Sequence, residues 1–286
     1  MRYFPALLLY CFFLFGCTKT DQDKGMGPTV STITVRLHEK GSNISERYPG
    51  IIKEEKQPAG LNFYETDRIP GREYNVEIKI DDTSLNIANV KGLLATEDAE
   101  RQSEGVKAIT VTSTLTGNSG ISHEEARNLL FRNFQTILKN GWTSIIPHAT
   151  PRINGKHMLN FALNFGNPHG LDPTYIPTMQ EWMKLENLSS WEFYTKGAYL
   201  QIAFMREENK PGSNDKGDYL IKYDVISEKD YYKEFVAPEL QQNWMKHIST
   251  ELDNAAKRRI EFETELRSAG IPILLEYQNP PAPQFK

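Results

Sequence analysis

The sequence predicts an α+β fold: an antiparallel sheet, or sheets, with a mid-chain helix and a long C-terminal amphipathic helix. Three observations predict it. Short β-branched runs with two-residue alternation recur through the first 120 residues and again from 190 to 226. A capped apolar-periodic segment opens at Ser122, between the two sets of runs. From Tyr232 to Ala269 the chain is rich in charge, with apolar residues spaced three and four apart. Runs of strands separated by a helix and closed by a helix belong to α+β architecture.

Taken in order, residues 31–37 (STITVRL) read as a first strand, and residues 41–60, rich in Gly, Pro and charge, as a loop. Leu61–Glu65 and Tyr74–Ile80 are strand candidates. In the second, Tyr74, Val76, Ile78 and Ile80 alternate with polar residues, as in a sheet with one wet face. Asp81-Asp82 is a turn into Leu85–Val90, and Val106–Leu115 is another strand. Ser122 and Glu125 form a capping box whose helix presents Ala126, Leu130, Phe134, Ile137 and Leu138 on one face. It stops at Asn140-Gly141, and Trp142 is expected to close the core over its end. The proline-broken segment 143–190 reads as irregular except for a strand at Met158–Phe165. Ser190–Thr195 and Tyr199–Arg206 flank Lys196-Gly197 as a hairpin; a polar loop, Glu207–Gly217, leads to a last strand at Asp218–Ile226. The final helix is expected to begin near Pro238, carry Leu240, Trp244, Ile248, Leu252, Ile260 and Leu266 on its apolar side, and end at Gly270. Residues 31–275 therefore form an α+β domain with helices on one face of the sheet, and 276–286 an extended tail. One domain and two halves meeting near residue 150 both fit.

The first seventeen residues, MRYFPALLLYCFFLFGC, place one positive charge before an apolar run from Tyr3 to Phe15. That run is too short to span a hydrocarbon core of roughly 30 Å, and has the length of a signal-peptide core. Leu14-Phe15-Gly16-Cys17 resembles the lipobox read by the bacterial lipoprotein signal peptidase, with Phe15 bulkier than the usual residue. The resemblance implies a signal peptide over 1–16, lipid on Cys17, and a flexible tether over 17–30. Thr18, where Asp would retain the protein on the inner membrane, implies the outer membrane, facing the periplasm. Such a protein is attached to a membrane without spanning it. Cys11 falls in the signal segment and Cys17 carries the lipid, so neither is expected to form a disulfide or serve as a nucleophile. A net charge of −4 with no basic block argues against nucleic acid as a partner.

Motifs for catalysis are weak. His148, His157 and His169, with Asp172 nearby, lie close in sequence, but their spacing matches no compact zinc motif. His123 sits in a first helical turn, where Glu124 and Glu125 suit the helix dipole. There is no G-x-S-x-G, no phosphate-cradling loop and no G-x-G-x-x-G. Neither catalytic residues, a cofactor nor a metal is expected, and the chain reads as non-enzymatic. The aromatic hairpin is more informative. Trp182, Trp191, Tyr194 and Tyr199, with the acidic Glu207, Glu208, Asp215 and Asp218, form a candidate partner-binding surface, aromatic at its centre and acidic at its rim.

Four segments, ISHEEARNLLFRNFQTILKNGW, PRINGKHML, SSWEFYTKGAYLQIAFMRE and DYLIKYDVIS, together with the lipobox, resemble the periplasmic immunity lipoproteins paired with type VI secretion lipase effectors. The likeness spans residues 106–226. It implies a protein partner, a toxin or effector, that the chain binds and neutralises. Other readings of the same residues are an envelope-assembly or ligand-binding lipoprotein, or a hydrolase.

Overall fold

The computed structural model describes residues 32–57, 60–66, 74–117, 120–166, 168–207 and 216–282. The expected signal segment and tether, with Cys17, lie outside the described residues, as do Glu208 and Asp215. The fold is α+β, with a mixed sheet, mid-chain helices and one long C-terminal helix.

Five strands and one helix come first: β1 (Thr32–Arg36), α1 (Gly41–Arg47), β2 (Ile52–Gln57), β3 (Leu61–Thr66), β4 (Tyr74–Ile80) and β5 (Thr83–Asp98). β6 (Val106–Thr114), β7 (Ile121–Ser122), α2 (His123–Lys139), β8 (Thr143–Ser144), α3 (Gly155–Phe165) and α4 (Met179–Lys184) follow. The chain closes with β9 (Ser190–Thr195), β10 (Ala198–Glu207), β11 (Lys216–Ser227), α5 (Glu228–Lys233), a 3-10 segment Pro238–Asn243 and α6 (Trp244–Ser268). The strands run β1-β4-β5-β6-β11-β10-β9-β8 across the sheet. β6 pairs with β11, so the regions before and after residue 150 share one continuous sheet. β4 and β3 pair with successive parts of the long β5, and β2 adds to β3. β1 pairs with β4 in parallel, because α1 and the β2–β3 hairpin between them supply the crossover that parallel strands need.

Segment 41–60 is not a loop: it holds α1 and β2. The cause lies outside the segment. The Glu97 carboxylate, fully buried, accepts from the Gly41 amide at 2.9 Å and from Asn62 and the Tyr64 hydroxyl, each at 3.2 Å. A Cβ at position 41 would lie 1.9 Å from the Tyr64 ring, so only glycine lets the helix start there. The expected strand at 158–165 is also corrected. It is helix α3, burying Met158, Leu159, Phe161 and Ala162 at helical spacing and ending in left-handed Gly166. A short apolar run suits either periodicity, and tertiary packing decided. The full reciprocal capping box belongs to α4, between Thr178 and Glu181, while Ser122 caps α2 by accepting from the Glu125 amide.

Helices cover both faces of the sheet, not one. On the front face, α2 buries Leu130, Phe131, Phe134 and Ile137 against Trp191, Phe193 and Phe204, and Trp142 closes over the helix end. On the back face, α5 and the start of α6 cover a smaller core of Ile145, Tyr199, Tyr232, Val236 and Trp244. α6 then crosses toward the front-face core, where Phe262 packs edge-on against Phe161. Its hold is largely polar. Arg152 pairs with buried Glu263 at 2.8 Å, and Arg259 donates to the carbonyls of Thr150, Ile146 and Pro147. Leu240 and Ile260, expected on the apolar side, are exposed. The chain beyond α6 returns to the same loop, where Tyr277 and Asn279 bond to the backbone of Ile146.

The outer edge of β1 is occupied by side chains. The Thr34 amide donates to the Tyr48 hydroxyl at 2.8 Å, the Thr34 carbonyl accepts from Arg47 at 2.9 Å, and the Arg36 amide donates to Glu39 at 2.8 Å.

Candidate functional site

Alternation along β9, β10 and β11 sorts the predicted surface residues onto opposite faces. Trp191 points to the front and lies 4.8 Å from Phe134 and 6.2 Å from Phe204, ring centre to ring centre. Trp182, from α4, also reaches the front face, where it stacks on Phe204 at 4.7 Å and donates to the Tyr219 hydroxyl at 3.2 Å. Both tryptophans are buried to 1% exposure or less, so neither is a surface anchor. The expectation for them is corrected: their area is spent on the core.

Tyr194, Tyr199, Glu207 and Asp218 occupy the back face. Cross-strand partners share a face, and the register pairs Tyr194 with Tyr199, Glu192 with Gln201, Gln201 with Asp224, and Glu207 with Asp218. Tyr199 is buried, with its hydroxyl bonded to that of Tyr232 at 3.0 Å, and is a wall rather than a contact surface. Tyr194 is partly buried and donates to Glu228 at 2.7 Å. Glu207 and Asp218 are exposed at the far end of the strands.

A pocket of about 320 Å³ opens where the covered part of the back face meets the open part. Its floor is Thr110 of β6, Gln201 of β10 and Asp224 of β11. Its walls are Tyr199 and Tyr231, stacked at 3.5 Å and 7°, with Ile145 and Ile226. Glu192 on β9 and Glu234 after α5 complete the lining, which contains no Lys, Arg or His. Asp224 is already matched: Thr110 donates to it at 2.7 Å, and Lys222 pairs with its other oxygen at 2.7 Å. Glu192 is bonded to the neutral amide of Gln201, and burial pushes its carboxyl up to about 7. Glu234 keeps solvent-accessible surface at the mouth, but protein replaces much of the water around it. That desolvation, with repulsion from Asp230 and Asp224, raises it to about 7 against the opposing pull of Lys107. The Tyr231 phenol is pushed up by burial first, then by the negative charges of Glu192 and the surrounding acids. Three acidic groups thus share a pocket, and of the three only Asp224 has a paired cation, Lys222, among the described residues.

The histidines do not converge. His157 is exposed on α3, His169 bonds the Ser190 hydroxyl at 2.9 Å, and His148 packs edge-on to Tyr232 and Phe235. Burial, aided by the charge of Arg259, holds His148 down at about 4. His123 bonds the Tyr219 hydroxyl at 2.7 Å. Among the described residues no group of three His, Cys, Asp or Glu side chains is placed to hold a metal. Asp172 instead receives the Gly155 amide and the Thr174 hydroxyl.

Sequence reasoning missed Glu192, Gln201, Asp224, Tyr231 and Glu234 as a group. The signal for Glu192, Gln201 and Asp224 was the alternation itself: in S-W-E-F-Y-T, for example, any register that buries Trp191 and Phe193 sends Glu192 to the other face. Comparison with family models, curated proteins and solved structures finds no match.

Proposed function

We propose that this chain is a non-catalytic, lipid-anchored envelope protein that captures a protein partner on the back face of its sheet and neutralises it. The partner class implied by the resemblance is a lipase effector delivered to the periplasm. The observation that carries the reading is the back-face strip. It runs from the acidic pocket along Gln201, Ala203 and Met205 of β10 and Leu220 and Lys222 of β11 to the exposed pair Glu207 and Asp218. Six residues of strand separate Asp224 from Asp218, about 20 Å of surface. An apolar centre flanked by charge is the layout of a recognition patch. A neutraliser needs no catalytic group, and anchoring at the attacked membrane raises its effective concentration there.

The test is co-production of a type VI lipase effector from the same genome with this chain, scored by envelope integrity and by direct titration of the purified pair. Protection and tight one-to-one binding are expected, with protection lost in Leu220→Asp and in the Glu207→Lys, Asp218→Lys double variant. Folded variants that protect as well as the parent would overturn the assignment of the surface. Cys17→Ser is expected to leave the membrane fraction; retention there would overturn the anchor.

A further inference from the structure

The back-face pocket has a definite chemistry that the strip as a whole does not. We propose that it is a receptor for an alkylammonium group, such as the end of a lysine side chain or of a short diamine. This deepens the partner-capture reading and rests on it only for the source of the group.

The lining carries the inference. Glu192 contributes a partly buried carboxyl bonded to the uncharged amide of Gln201, and Glu234 a second carboxyl at the mouth. Thr110, Gln201 and two tyrosines supply acceptor oxygens and aromatic wall, and no basic side chain lines the pocket to compete. Asp224 is committed to Lys222 and Thr110, so the uncompensated charge is that of the two glutamates. An anion would be repelled by the two glutamates, and a neutral ligand would leave those acids unanswered. A volume of about 320 Å³ is at the small end of ligand pockets, roughly 300–1,000 Å³, and suits a few methylenes with one or two charges. Stacking of Tyr199 on Tyr231 fixes the wall in advance, so the ordering cost falls on the ligand.

Proton coupling follows from the same groups. Glu192 faces Gln201, Tyr231 and Tyr277, while Glu234 faces Asp230, Asp224, Lys107 and Tyr231. Both carboxyls lose their protons near neutrality, so the ammonium group binds more tightly as pH rises through about 7.

The experiment titrates the full-length protein with n-butylammonium, putrescine and a capped tripeptide with a central lysine, using n-butanol and butyrate as controls. Binding is read by calorimetry and by chemical shifts at about pH 8 and about pH 5.5. Saturable binding of an amine, absent for the controls and weakened about tenfold or more by Glu192→Gln, is expected. Glu234→Gln, at the accessible mouth, gives a smaller loss and guards against misfolding as the explanation. Equal binding of butanol, no saturable binding, or amine binding untouched by both variants overturns the proposal. Binding of the lysine peptide identifies a side chain as the source; binding of the free amines alone identifies a small amine. Amine failure with effector capture intact removes this inference and leaves the partner reading. Amine binding with effector capture indifferent to the back-face variants does the reverse.

Discussion

The same three strands, β9 to β11, present two faces with opposite solutions to burial. On the front, Trp191, Phe193, Phe204 and Tyr219 are packed ring against ring, and the polar atoms there are hydrogen-bonded, as in the His123–Tyr219–Trp182 chain. On the back, one residue further along each strand, Glu192 and Asp224 sit beside tyrosines, and the covering from α5 and α6 stops short. The front face is built for density; the back holds charge in a place where density would have been available. Their difference teaches that the fold builds its larger core on one side of the sheet and, beside a smaller core on the other, carries acids that stability alone does not require.

The sharpest way to break the comparison is at the front. Trp191→Ala should cost about 3–5 kcal/mol in a denaturant melt, because Phe131, Phe134 and Phe204 cannot close over the lost ring. A loss below about 1 kcal/mol would mean the front face is not the main core. Next comes acid. His148 lies behind the back-face core with a folded pKa of about 4, well below its ordinary value. The unfolded chain takes up that proton below about pH 6.5 and the folded chain does not until about 4, so stability falls as pH drops through this window, by about 2–3 kcal/mol. His148→Asn should flatten that part of the pH–stability curve; an unchanged slope would show the loss arises elsewhere.

Glu192 has the opposite sign. Its folded pKa is raised to about 7, so the folded chain holds a proton that the unfolded chain releases, and the residue costs stability at high pH. Glu192→Gln is therefore expected to stabilise by about 1–2 kcal/mol near pH 8, after discount for partial solvent access, with the gain vanishing near pH 5. Destabilisation at both pH values would make the carboxylate structural. The smallest effect belongs to the open end: Glu207→Lys with Asp218→Lys should cost no more than about 1 kcal/mol, mainly through the bond that the Gly120 amide donates to Asp218, while reducing partner capture.

Legibility in the sequence followed the range of the interactions. Strands β4, β6, β9 and β11, the Lys196-Gly197 hairpin and the Ser122 cap could be read because neighbours within a few residues determine them. α1 could not: its start depends on Glu97, 56 residues away, and on the Tyr64 ring over Gly41. α3 was misread because its apolar run is short and its stop signal is a single glycine. Among the expected surface residues, Glu207 and Asp218 are exposed, but the tryptophans were misplaced because an aromatic cluster does not say which face it serves. The pocket acids needed the β9–β10–β11 register before they became neighbours.

The occupied edge of β1 has a consequence for how copies of this chain behave side by side. A sheet whose terminal strand offers bare amides and carbonyls can be extended by the strand of another molecule, and crowding makes that encounter frequent. Here the incoming strand would have to displace Tyr48 from the Thr34 amide, Arg47 from the Thr34 carbonyl and Glu39 from the Arg36 amide. It would also disturb the Arg47–Glu39 ion pair that ties two of these residues together. Side chains from α1 and the residues flanking it thus act as a stopper on self-assembly at the sheet's first strand.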